Sequence, residues 1–402
     1  MSASAWIQII YLVVLLIIGS IVLYLRRRAQ GSKSVYKITL ILLGVLIAVT
    51  SISNKLIIEF DIEFLKSLSV VLLIILMFEL SVRLNPENID FKKKNLTLFF
   101  GILIINVIIL SILATLLLNI QPIFTVVFAI IISSIEYFMV DELKEEGDLS
   151  NPFLILFAFS ILSFYNLQDS MIFNMISFIQ YMFIGLGMGV AIGIIVFKCM
   201  KNQKITWFSE IALVAAAIIT YILTEYIGGS GLFAILILGV FFGNSFVRKK
   251  NDMKSFSPFI FKSLEILIFL LIGFVAYTDL SLETIFYSII LYIAYLIIRY
   301  IVINITYKHY SIQNKLLLTF APKGMVFAIM ILVLGSYGAI SNSLITVMLM
   351  IIIFSLIISA IFEYFENQKI HRLERLFSLI KNLRFGRKRD IIRKKLMHKT
   401  RR

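Results

Sequence analysis

Residues 152–177, PFLILFAFSILSFYNLQDSMIFNMIS, form an apolar run with one charged side chain, Asp169, near its middle. At 1.5 Å of rise per residue, a helix over this run exceeds the roughly 30 Å of hydrocarbon in a bilayer. A carboxylate at that depth costs a few kcal/mol, about 3 on insertion scales, unless the protein uses it. Length therefore points to a membrane helix, and its acid points to a functional site.

Runs of similar length recur outward from this one in both directions. Thirteen are recognisable, at about 5–25, 36–54, 64–82, 96–119, 122–140, 152–177, 179–200, 206–226, 229–246, 258–277, 284–306, 314–338 and 343–366. The chain of 402 residues is 60% hydrophobic, with a mean hydropathy of +0.99. No run alternates with period two, which excludes a transmembrane β-barrel. The expected fold is an all-α polytopic membrane protein of about 13 spans over residues 1–366, with no soluble domain of any size.

Charge sets the expected orientation. Met1 to Ala5 carry no Lys or Arg, whereas Arg26, Arg27 and Arg28 follow the first run. This flank pattern argues against a cleaved leader and places the N-terminus outside. Alternate loops then hold the basic clusters: Arg83 with Lys92 to Lys94, Lys198 with Lys201 and Lys204, Arg248 to Lys250, and Lys308 with Lys315. Loops on the other side hold Lys55 and almost nothing else that is basic. Residues 367–402 carry 14 Lys/Arg against two acids and fall on the cytoplasmic side. The net charge of +15 thus reflects topology in a cytoplasmic membrane, and nucleic acid is not an expected partner. Ile370, Leu373, Leu376, Phe377, Ile380 and Leu383 recur at helical spacing in the tail, either as a helix on anionic lipid or as a solvated basic segment. Cys199 is alone, and His309, His371 and His398 fall in cytoplasmic segments, so no disulfide, metal site or cofactor is expected.

Among the charged residues within runs, Glu210, Glu225, Asp279 and Glu283 sit near span ends and read as structural. Glu265 and Arg299 are expected to pair, or Arg299 to snorkel. Four others lie deeper or beside helix breakers: Glu79, Glu136, Asp169 and Lys323. A desolvated carboxylate at Asp169 holds either a proton or a monovalent cation, never both, and that competition is the simplest chemistry of exchange. Ser133 and Ser134 precede Glu136 and offer oxygen ligands to a hard cation. Lys323 lies in Ala-Pro-Lys-Gly (321–324), where Pro322 and Gly324 weaken span 12. A Lys at such a break is suited to neutralising a half-helix C-terminus or to balancing charge while the cation is away. If spans 1–6 and 8–13 are inverted repeats around span 7, then span 5, with Glu136, corresponds to span 12, with its break.

Several segments together resemble the monovalent cation:proton antiporter superfamily, in its NhaP-type and Kef-type branches. They are LMFELSVRLNP (76–86), SSIEYFMVDELKEEGDLS (133–150), LQDSMIF (167–173), GGSGLFAILILGVFFGN (228–244), FLLIGFVAYTDLSL (269–282) and APKGMVFAI (321–329). The resemblance implies a homodimer in which helices 5 and 12 are discontinuous and cross. It implies a mobile core, drawn from about 64–177 and 258–338, moving against a static dimerisation domain formed by the remaining helices. It makes Asp169 the carrier, with Gln168, Glu136, Glu79 and the backbone near Ser134 and Ile135 completing the site. Lys323 stands where many members carry Arg. Phe164 replaces the acid usually found five residues before the carrier, and Arg83 takes the place of the usual third-span acid, with Glu79 one turn earlier.

The expected function is exchange of Na+ or K+ for H+, one for one because Gln168 is uncharged. A Kef-like cation channel and a non-transporting membrane sensor are the alternatives. An enzyme is not expected, since no Ser/His/Asp grouping or nucleotide-binding glycine loop is present in the sequence.

Overall fold

A computed structural model describes residues 3–29, 33–54, 62–84, 93–134, 144–165, 171–201, 209–246, 253–275, 281–308, 310–336 and 341–365. These form α1 (Ala3–Ala29), α2 (Lys33–Asn54), α3 (Ile62–Arg83), α4 (Lys93–Leu118), α5 (Pro122–Ile132), α6 (Lys144–Tyr165) and α7 (Met171–Lys201). After them come α8 (Ser209–Tyr226), α9 (Gly231–Phe246), α10 (Met253–Val275), α11 (Leu282–Thr306), α12 (Ile312–Thr319) and α13 (Met325–Ser336), and then α14 (Asn342–Phe365). No strand occurs among the described residues. Six described stretches are by themselves long and apolar enough to cross a membrane.

The helices follow the apolar runs, and two departures stand out. The division expected at residue 178 falls inside α7, while residues 166–170, with Gln168 and Asp169, lie outside the described residues. Hydropathy is continuous across 152–200, so it could not mark where one helix yields to the next. Span 12 is two helices, α12 and α13, separated by non-helical residues 320–324. That interruption lies where Pro322 and Gly324 place it.

The packing has an internal symmetry. Exchanging each of spans 1–6 with the span seven positions later turns the α2–α10 contact into the α9–α3 contact and the α4–α5 contact into α11–α12. It maps α4–α11 onto itself. Two of these crossings are close enough to require glycine. A Cβ at Gly44 of α2 would stand 2.2 Å from the Leu270 carbonyl of α10, and one at Gly273 would stand 2.1 Å from the Ile41 carbonyl. On α9, a Cβ at Gly243 would meet the Val82 carbonyl of α3 at 2.2 Å. With lipid as solvent, apolar burial does little to join helices, and such backbone contact supplies the packing instead. Helices α3 and α10, expected in the mobile core, thus make their closest glycine contacts with α9 and α2.

The short helix α5 is positioned by its connection to α4. Asn119 takes the left-handed conformation (φ 51°) and its N–H closes on the Thr115 carbonyl at 2.9 Å, an arrangement Asn tolerates at a helix end. Pro122 then opens α5 at a position where its missing N–H is no loss. The tight reversal lays α5 back along α4, where Thr115 and Thr125 share a hydroxyl hydrogen bond of 2.7 Å.

Candidate functional site: the interrupted span and the end of α5

Helix α5 ends inside the protein. Its last turn tightens to i→i+3 bonds, Ser133 N–H to Ile130 (3.1 Å) and Ser134 N–H to Ile131 (3.0 Å). The Ile132 and Ser134 carbonyls therefore need partners from elsewhere, because buried backbone acceptors without water are costly. Lys323 supplies them. Its ammonium donates to the Ile132 carbonyl, to the Ser134 carbonyl at 2.9 Å and to the Tyr295 hydroxyl at 2.6 Å. An ammonium has three protons, and all three are used. The positive charge faces the negative end of a helix dipole, the favourable polarity.

The backbone of the interruption is satisfied from both sides. The Lys323 N–H donates to Ser355 Oγ of α14 at 3.1 Å, and the Ala321 carbonyl accepts from Arg299 Nη1 of α11 at 3.3 Å. Pro322 has no N–H to place. Arg299 Nη1 also donates to the Tyr295 hydroxyl at 2.7 Å, so one phenolic oxygen lies between two cations. The Lys323 ammonium lies 3.8 Å from the centre of the same ring, a cation–π contact. Lys323 and Arg299 are 0% and 1% exposed, so neither reaches water along its stem. Arg299 Nε and Nη2 have no hydrogen-bond partner among the described residues.

A second knot joins α4 to the same helix end. Asn106, fully buried on α4, donates from Nδ2 to Ser133 Oγ at 2.9 Å, and Ser133 Oγ donates to the Ala129 carbonyl at 2.8 Å. With its proton committed to Ala129, the Ser133 hydroxyl can only accept, which fixes the amide with its nitrogen toward Ser133. Asn106 Oδ1 and the buried Ser134 Oγ are then left without partners among the described residues.

The residues expected at the site divide into three groups. Ser133, Ser134 and Lys323 are brought together. Glu136, Gln168 and Asp169 lie outside the described residues, as does the basic tail of 367–402. Glu79 is held on its own helix: Arg83, one turn along α3, donates to its Oε1 from Nη2 at 2.9 Å and from Nε at 3.2 Å. The Arg83 guanidinium also lies 4.6 Å from the centre of the Phe261 ring. The pairing expected between Glu265 and Arg299 is not made. Glu265, on α10, faces the buried Lys37 of α2 at 3.5 Å, because α2 is the helix against which α10 packs. Glu225 caps a neighbouring helix, accepting from the Gly231 N–H at 2.9 Å and from Tyr181 at 3.0 Å, a structural role as expected.

Sequence reasoning missed Asn106 and Tyr295. Asn106 had a visible signal, an amide inside the apolar run of α4, and Tyr295 sits one turn before Arg299 on α11. Among the described residues, no group of three or more His, Cys, Asp or Glu is placed to hold a metal ion.

The family described as sodium/hydrogen exchanger, transmembrane, matches residues 12–364. No curated protein matches the chain in sequence. Among solved structures, the chain is similar to the sodium proton antiporter MjNhaP1 from Methanocaldococcus jannaschii, determined at pH 8. The TM-score is 0.69 at 17% identity, covering 89% of this chain and 99% of the other, a likeness of fold.

Proposed function

Because the chain belongs to the sodium/hydrogen exchanger family, we propose that it exchanges Na+ or K+ for H+ by alternating access, one ion for one proton. In this reading Asp169 carries either the proton or the dehydrated cation. Gln168, Glu136, Ser133, Ser134 and Glu79 complete its surroundings. The protein works as a homodimer in the cytoplasmic membrane, with its N-terminus outside and its basic tail on the inner, anionic leaflet.

One observation supports the reading most. The Lys323 ammonium lies on the carbonyls that end α5, two residues before Glu136. Interrupted helices whose ends face one another deep in a membrane protein are where transporters bind ions, because only there does unwound backbone offer free carbonyls and dipoles. A fixed cation at that point balances the local negative field while the transported cation is absent, so the empty site need not collapse. Asp169 supplies the exchangeable negative charge, and the family supplies the direction of the chemistry: cation one way, proton the other.

The test uses purified protein in proteoliposomes with a preformed pH gradient. Added Na+ or K+ dissipates the gradient with the wild type, and Asp169→Asn abolishes this while still inserting and purifying as a folded protein. Glu136→Gln weakens cation affinity. Cation flux without proton movement would instead make the protein a channel and end the exchanger reading.

A further inference from the structure

We propose that Asn106 is a ligand for the transported alkali cation and sets its selectivity, acting through Oδ1 together with the Ser134 hydroxyl. The inference rests on the exchange reading and adds to it a residue and a chemical basis for choosing the ion. Ser133 Oγ gives its proton to Ala129 and accepts from Asn106 Nδ2, so the amide is locked in one orientation. The amide oxygen then has nothing to accept from among the described residues, and neither does Ser134 Oγ one residue further on.

Both side chains are buried, Asn106 at 0% and Ser134 at 2% exposure. Buried polar atoms in native proteins are nearly always partnered, so each of these two oxygens is open to a ligand. Two further features define its chemistry. The Ile132 and Ser134 carbonyls are already taken by Lys323, which leaves neutral side-chain oxygens as the open ligands. Neutral amide and hydroxyl oxygens replace the hydration shell of an alkali cation, and the number and field strength of such dipoles discriminate one alkali ion from another. The Lys323 ammonium on the Ser134 carbonyl repels a second positive charge, so a monovalent ion is favoured here over a divalent one.

The alternative is that Asn106 merely ties α4 to α5. The two are separated by measuring apparent KM for Na+, Li+ and K+ and the maximal rate, in proteoliposomes, for wild type, Asn106→Leu and Asn106→Asp. Asn106→Leu, nearly isosteric but without the oxygen, raises the cation KM at least tenfold while the maximal rate at saturating cation stays within about threefold. Asn106→Asp keeps an oxygen, retains exchange and shifts the Na+ to K+ ratio of KM at least threefold. If Asn106→Leu does not purify folded, the same measurements on Asn106→Ala, together with protection of the purified variant from thermal unfolding by added Na+ or K+, give the answer. Equal KM values and an unchanged ratio in folded variants of a wild type that exchanges would overturn the assignment alone. A wild type that exchanges no cation would overturn the exchange reading and this inference with it.

Discussion

Replacing Tyr295 with Phe removes one oxygen atom and nothing else of substance. The ring remains, with its contact to the Lys323 ammonium and its stacking on Tyr292 at 6.3 Å. What disappears is the single acceptor shared by Lys323 Nζ (2.6 Å) and Arg299 Nη1 (2.7 Å). Hydrogen bonds to charged groups contribute about 1.5–3 kcal/mol each. Both cations stay buried in the variant, so no desolvation is recovered to offset the loss. The expected cost is therefore about 3–6 kcal/mol, read as equilibrium unfolding in mixed detergent–SDS micelles. A double-mutant cycle isolates the shared oxygen. In a Lys323→Met background the same change forfeits only the Arg299 bond, so its cost falls by about half. Tyr295→Phe unfolding at the wild-type SDS fraction, or costing the same in both backgrounds, would refute the bridging role of this hydroxyl.

Two further outcomes follow from neighbouring geometry. Lys323→Arg keeps the charge and exchanges cation within about tenfold of wild type, whereas Lys323→Met loses at least a hundredfold in gradient dissipation yet remains folded by size-exclusion chromatography, since relief of a buried charge offsets the lost bonds. Gly273→Ala places a methyl 2.1 Å from the Ile41 carbonyl; because backbone cannot rotate aside, α2 and α10 must separate, at a cost of about 1–3 kcal/mol visible in the same unfolding titration.

How much of this was readable in the sequence depended on whether a feature was local. The interruption of span 12 was legible because Pro322 and Gly324 act on their own backbone, and a Lys between them had few reasons to be there. The run lengths gave the helices for the same reason. The Glu265–Arg299 pairing failed because it needed knowledge of which helices touch: α10 turns to α2, and α11 to the break. The Glu79–Arg83 pair is local, an i+4 spacing on one helix, and so is legible in the sequence. Asn106 was passed over because a lone amide in an apolar helix is unremarkable until its neighbour's proton is traced to Ala129. Tyr295 was hidden among many aromatic residues in the spans, and only the convergence of Lys323 and Arg299 on its oxygen singles it out.

The residue at the gap in span 12 is tied twice, through its main chain to α14 and through its side chain to α5. Because both ties belong to one residue, α5 and α14 are tethered to the same point of the chain, and neither drifts without tugging the other. If the alternating access proposed above is a rocking motion, it carries this stitched unit whole. The flexing then belongs to the seams around it, and the gap itself behaves as a rivet, not a hinge.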